Sequence, residues 1–275
     1  MNTFDRIVCG IDASFESDVA LAQALRLRTA ATHLVLTHAF APTAINEVEL
    51  MLGEAWKKEE SHAREILDAM RSWALTSSDI DPGQIETRVV PGPKAKGLLE
   101  IAAQDAATLI CVGSHGRSRL GGAIRGSVAT NALHSALCSV LISRQRPPTE
   151  GASDPTATLS AFPETVVCGV DGSPGSQQAA EVAKDLGARL GCSVRYVAAE
   201  DAESVAFSDA SKQTPTPGDL TIEPGRPINV LLEASREADL LVVGSRGLGG
   251  SRAIGSVSER VAHDAESSVL VVRSS

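Results

Sequence analysis

The sequence predicts an α/β protein built as two tandem, doubly wound parallel sheets of five strands each, with helices on both faces. Three observations carry this. Short apolar runs alternate with helical patterns along the whole chain. The chain also repeats itself in order: Asp5–Ser14 matches Glu164–Ser173, Leu109–Ser114 matches Leu240–Ser245, and Ser139–Ile142 matches Ser268–Val271. Finally, each half has an apolar run that empties through glycines into a helix start, at Gly113 to Ser127 and again at Gly244 to Ser256.

In the first half the strands fall near residues 5–11, 33–39, 85–90, 108–113 and 139–143, each continuously apolar or β-branched, as strands buried on both faces are. A helix over about 16–31 places Val19, Ala20, Ala24, Leu27 and Ala31 on one face, with Asp12 and Ser14 just ahead of it as a capping region. Residues 46–76 read as one long charged amphipathic helix carrying Leu50, Met51, Trp56, Ile66, Leu67, Met70 and Trp73. A shorter helix, about 94–105, follows Gly92-Pro93, and Val128–His134 reads as the helix before the last strand. Residues 144–162 are rich in Pro, Thr, Ser, Ala and Gly without periodicity, which sets domains at 1–145 and 163–275 joined by a linker over 146–162. The second half repeats the scheme with strands near 164–170, 193–199, 219–223, 239–244 and 268–272. Between Ala199 and Leu220 the chain is too rich in Pro and Ser to supply a second long helix.

Composition narrows the function. Lys and Arg number 25 against 34 Asp and Glu, a formal net charge of −9, which argues against a nucleic-acid surface. No apolar run approaches a membrane span, and the first six residues lack the basic and apolar regions of a secretory signal, so a cytoplasmic location is expected. The five cysteines, Cys9, Cys111, Cys138, Cys168 and Cys192, form no C-x-x-C pair and are expected to be reduced and largely buried.

Ligands of a doubly wound sheet sit beyond the C-terminal strand ends. Asp12 ends the first strand and Gly113 the fourth, so the two face one crevice if those strands are neighbours. The carboxylate accepts from a base amino group or ribose hydroxyl, while Gly113, Gly116, Gly126 and Ser127 offer backbone N–H groups and a hydroxyl to phosphate at the start of a helix whose next residue is Val128. Arg117, Arg119 and Arg125 concentrate positive charge there, and His115 lies inside the loop as a contact residue. Asp12 also suits capping of the first helix, and the residues leave both roles open. Gly92–Gly97 has the spacing of a Walker A loop, but Leu98-Leu99 replace its Lys and Ser/Thr. His134 and His263 stand at equivalent places and suit structural or interface roles better than metal binding, since no second ligand lies at helical spacing.

The strand-terminal Asp12, the Gly-Pro turn in mid-domain and the G-x2-G-x9-G-[ST] pattern of Gly113, Gly116, Gly126 and Ser127 together resemble the universal stress protein family over nearly the whole chain. The resemblance implies a Rossmann-like sheet in the order 3-2-1-4-5. It also implies ATP as ligand, with Asp12 on the adenosine portion, backbone near Ala39 on adenine, and the glycine loop with Ser127 on the triphosphate. Mg²⁺ is an expected companion of the triphosphate, near Ser127. The resemblance implies contact between last strands, here Ser139–Ser143 against Ser268–Val272, within one chain as a pseudo-dimer or between two chains as a homodimer. Since no Walker lysine, convincing base or acidic metal pair accompanies the phosphate loop, a regulatory or interaction role toward an unidentified protein partner is expected. A slow ATPase or adenylyl-transferring enzyme, and a dimerisation protein that binds no nucleotide, are the rival readings. The second half keeps Asp171, Gly244, Gly247, Gly255 and Ser256, but seven residues rather than nine separate Gly247 from Gly255. Two fewer residues remove roughly 7 Å of chain reach, so the first domain is expected to bind ATP and the second weakly or not at all.

Overall fold

The computed structural model describes residues 4–41, 53–114, 126–144, 162–200, 220–245 and 254–273. The chain divides into two compact units, residues 2–132 and residues 133–275. In the first, β1 (Arg6–Gly10), β2 (His33–Phe40), β3 (Ile85–Pro91) and β4 (Leu109–Gly113) lie in the order β3-β2-β1-β4 with every pairing parallel. The middle residues of β1 and β4 are fully buried, because helices cover both faces. The helices are α1 (Phe15–Leu27), α2 (Glu54–Ser77) and α3 (Lys94–Gln104). Phe40 meets Trp56 of α2 edge to face at 5.8 Å, while a Cβ placed on Gly97 of α3 lies 3.2 Å from that of Ala39. Neighbouring strand residues point oppositely, so α2 and α3 cover opposite faces of the sheet.

The helix α4 (Ser127–Ser135) leads into β5 (Ser139–Ser143), which packs with the second unit. That unit comprises β6 (Thr165–Gly169), α5 (Pro174–Leu190), β7 (Ser193–Glu200), β8 (Leu220–Pro224), α6 (Pro227–Glu237), β9 (Leu240–Gly244), α7 (Ser256–Asp264) and β10 (Ser268–Val272). Its sheet runs β5-β10-β9-β6-β7-β8, parallel throughout except for the antiparallel pair β5–β10. Counted from β6, its five own strands show the order 3-2-1-4-5.

All ten strands fall where the sequence puts them, but two helices differ. The first ends at Leu27, and Ala31, expected on its buried face, is exposed. Thr32 ends it: its hydroxyl donates to the Phe4 carbonyl at 2.6 Å and accepts from the Thr29 N–H at 2.8 Å, so local side-chain bonds replace another helical turn. The second helix begins at Glu54, not within a continuous run from residue 46, because Gly53 sits in the left-handed region at φ 67°. Its buried seam is Ala63, Leu67 and Ala74. Leu50, Met51, the linker and the stretch between β7 and β8 lie outside the described residues.

Cys9, Cys111 and Cys168 are buried thiols and Cys138 and Cys192 half-buried ones, all outside any disulfide. Burial pushes the Cys138 thiol up to about 11 and raises Cys9 and Cys168 further, so none is a ready nucleophile. Among the described residues no helix is long and apolar enough to cross a membrane.

Candidate functional site

Because β1 and β4 are parallel neighbours, their C-terminal ends open on one edge of the sheet, which sets Asp12 and Gly113 at that same edge. Ile11 extends β1 by donating its N–H to the Thr37 carbonyl at 2.9 Å, after which the chain turns through Ala13 at φ 57° into α1. The cap of α1 is Ser14: its Oγ accepts from the Ser17 N–H at 3.2 Å. Asp12 stands behind the cap, with Oδ1 accepting from the Ser14 N–H at 3.1 Å and from the Ser14 hydroxyl at 2.5 Å. Its role in capping is therefore to fix Ser14. The other carboxylate oxygen, Oδ2, lies 3.7 Å from Nζ of Lys94, the first residue of α3.

Gly113 has a packing reason to be glycine. A Cβ there falls 2.7 Å from Cβ of Glu16 and 2.8 Å from its carbonyl carbon, so β4 and the first turn of α1 approach closer than any side chain allows. Gly244 has the same reason, at 2.5 Å from the Gly175 carbonyl carbon in α5. The loop that leaves β4 returns at its base, where Gly126 donates its N–H to the Ser114 carbonyl at 3.3 Å. Ser127 then opens α4 with an exposed side chain, followed by half-buried Val128. Its backbone carbonyl accepts from the Asn131 side-chain amide at 2.7 Å. His115, Gly116, Arg117, Arg119 and Arg125 lie outside the described residues. Ala39 is buried at the C-terminal end of β2, where Gly92 donates to the Phe40 carbonyl at 2.7 Å and brings α3 to the crevice.

Two residues of this site escaped sequence reading. One is Lys94; the other is His38, 8 % exposed, on the β2 face that turns toward α2. Burial, and next the Lys94 ammonium, hold the His38 imidazole below its ordinary range, against the opposing pull of Asp12, and among the described residues its Nδ1 has no hydrogen-bond partner. Burial first and the Asp12 charge second raise the Asp18 carboxyl. The signal for Lys94 was its place directly after Gly92-Pro93, at a turn that delivers a helix to the strand ends.

The second crevice keeps the frame. Asp171 Oδ1 accepts from the Ser173 N–H at 3.0 Å, Ser173 caps α5, and Gly172 takes the left-handed place of Ala13 at φ 78°. Gly255 donates to the Ser245 carbonyl at 2.7 Å, closing the shorter loop at the same point as the longer one, and Ser256 opens α7 with an exposed side chain. Gly247 lies outside the described residues. What differs is the chemistry at the rim: Ala198 stands for His38 and Pro227 for Lys94. Among the described residues no group of three His, Cys, Asp or Glu is arranged to hold a metal ion.

Known proteins match this chain along its length. The profile of the universal stress protein family covers residues 3–144 and 218–273. A universal stress protein of Mycolicibacterium smegmatis is 28% identical over 296 residues, covering 97% of this chain and 96% of its own. One of Mycobacterium tuberculosis is 28% identical over 300 residues, covering 98% and 96%. Among solved structures, a universal stress protein from Archaeoglobus fulgidus superposes with a TM-score of 0.72 at 20% identity, over 98% of each chain, and so shares the fold. With more than half of its residues under the family profile, the chain belongs to the universal stress protein family.

Proposed function

We propose that the crevice at the ends of β1 and β4 binds an adenine nucleotide, ATP, and that the chain acts in stress response as a nucleotide-dependent regulatory or interaction module. The observation that carries this reading is the pairing of the Asp12 carboxylate, fixed by Ser14, with a glycine-closed loop that opens a helix at Ser127. A carboxylate suits sugar hydroxyls, and a helix start with close glycines suits phosphate. Ala39, Gly113, Gly126, Ser127 and Val128, with His115, Gly116, Arg117 and Arg125 of the loop, are the binding residues of this reading. Mg²⁺ arrives bound to the triphosphate, with the exposed Ser127 hydroxyl at the phosphate end.

In this reading the repeats 1–145 and 163–275, joined by 146–162, form a pseudo-dimer within one chain, in the cytoplasm. The antiparallel pairing of β5 with β10 supports it. The second crevice, with Asp171, Gly244, Gly247, Gly255 and Ser256, binds ATP weakly or not at all. The test is adenine nucleotide counted per chain after saturation with ATP and removal of the excess. The expected ratio is near one. A ratio near two overturns the asymmetry, and zero, together with no heat of binding on titration, overturns the reading.

A further inference from the structure

We propose that Lys94 compensates the charge of Asp12 and thereby makes the first crevice selective for nucleoside polyphosphates over the uncharged nucleoside; this rests on the nucleotide reading above. An anionic ligand beside Asp12 meets a carboxylate in a protein that already carries a formal net charge of −9. Lys94 places the opposite charge 3.7 Å from that carboxylate, and its side chain is half exposed, so it acts at the mouth of the crevice and not in the core.

The position is a poor one for stability alone. Lys94 is the first residue of α3, whose first turn holds no acidic residue and whose capping residue, Pro93, offers no side-chain bond. A cation at that end opposes the helix dipole, so an ammonium there has to be accounted for by what it faces. It faces Asp12. Lys96, two residues on, is turned away into an ion pair with Glu100 at 3.6 Å. Among the described residues, Lys94 faces Asp12 from the β1–α1 turn and His38 from β2, whose imidazole is held below its ordinary range by burial and by Lys94 itself.

The second crevice provides the internal contrast. The turns after β3 and β8 correspond in sequence and bonding: Gly92 donates to the Phe40 carbonyl and Gly225 to the Glu200 carbonyl, both at positive φ. Pro93 and Arg226 then cap the helices, and Lys94 and Pro227 begin them. Among the described residues no ion pair joins Arg226 or any other cation to Asp171. The frame is shared, and among the described residues the compensating charge is not.

The experiment is calorimetric titration of the full chain with adenosine, AMP, ADP and ATP, for wild type, Lys94→Met and Lys94→Arg. Removing one positive charge within several ångströms of a polyanion costs more as ligand charge grows, so Lys94→Met is expected to weaken ATP about tenfold and adenosine less than about twofold. Lys94→Arg restores the ATP affinity, and the salt dependence of ATP binding shrinks in Lys94→Met. Equal losses for adenosine and ATP, or no loss for either, overturn the inference while leaving the nucleotide reading intact. Wild-type protein that binds none of the four ligands overturns both.

Discussion

At the scale of single residues, Gly113 shows how a motif position acquires two reasons. Its place in the phosphate-loop pattern suggests backbone approach to a ligand, and the structure adds a steric one, because Glu16 of α1 occupies the space of a side chain. Gly113→Ala is therefore expected to destabilise the fold by about 1–3 kcal/mol through overpacking, with Gly244→Ala doing the same against Gly175. Urea unfolding measures both, and a Gly113→Ala protein as stable as wild type would remove the packing account. Loss of ligand in that variant would by itself say little about phosphate, since α1 carries the cap that fixes Asp12. His38 makes a second residue-scale prediction. Its folded-state pKa lies below the ordinary 6.5, so the unfolded chain takes up the proton first as pH falls, and stability is lost from about pH 6.5 downward. His38→Leu removes that term. Its unfolding free energy relative to wild type is expected to rise steadily between pH 7.5 and 5, and a pH-independent difference would exclude His38 as the titrating group.

At the scale of elements, the strands were legible because each is buried on both faces, which leaves an uninterrupted apolar run that polar exposure does not disguise. Helix ends were less so. Periodicity carried α1 on to Ala31, but the chain is stopped by Thr32 reaching the Phe4 carbonyl, a bond between residues 28 apart. In α2 the sequence drew attention to Trp56, Met70 and Trp73, whereas Ala63 and Ala74 share the fully buried seam with Leu67, because closely packed helices and sheets favour small side chains at the contact. The proposed site divides along the same line. Asp12, Gly126 and Ser127 were readable because they punctuate strand ends and helix starts. Lys94 was not, since its partner is 82 residues away and only the parallel order β3-β2-β1 brings them together. The Walker-like spacing of Gly92–Gly97 carries no information about that partner.

At the scale of the whole molecule, the repeat leaves its clearest trace where β5 and β10 pair, because there the two halves give each other equivalent groups. Arg144 follows β5 and donates its backbone N–H to Ser268 Oγ at 2.9 Å; Arg273 follows β10 and donates to Ser139 Oγ at 3.2 Å. The Arg144 guanidinium then donates to the carbonyls of Ala262 at 2.6 Å and His263 at 3.1 Å in the last turn of α7, while that of Arg273 reaches the Leu133 carbonyl in α4. Each arginine sits at the negative end of the other repeat's last helix, where a cation is favoured. His134 and Glu259, 3.1 Å apart, are an addition without this symmetry, since Thr130 holds the place of Glu259 in the first repeat. Burial draws the Arg144 guanidinium down to about 10 against the opposing pull of Asp264, so the charge there is held at a cost. Arg144→Met is thus expected to lower stability by about 2–3 kcal/mol, since it strands the carbonyls at the end of α7 and removes hydrogen bonds made by a charged donor. Urea unfolding followed at two protein concentrations checks this. A loss below about 0.5 kcal/mol, the range of an ordinary surface substitution, would mean that the strand pairing alone holds the seam.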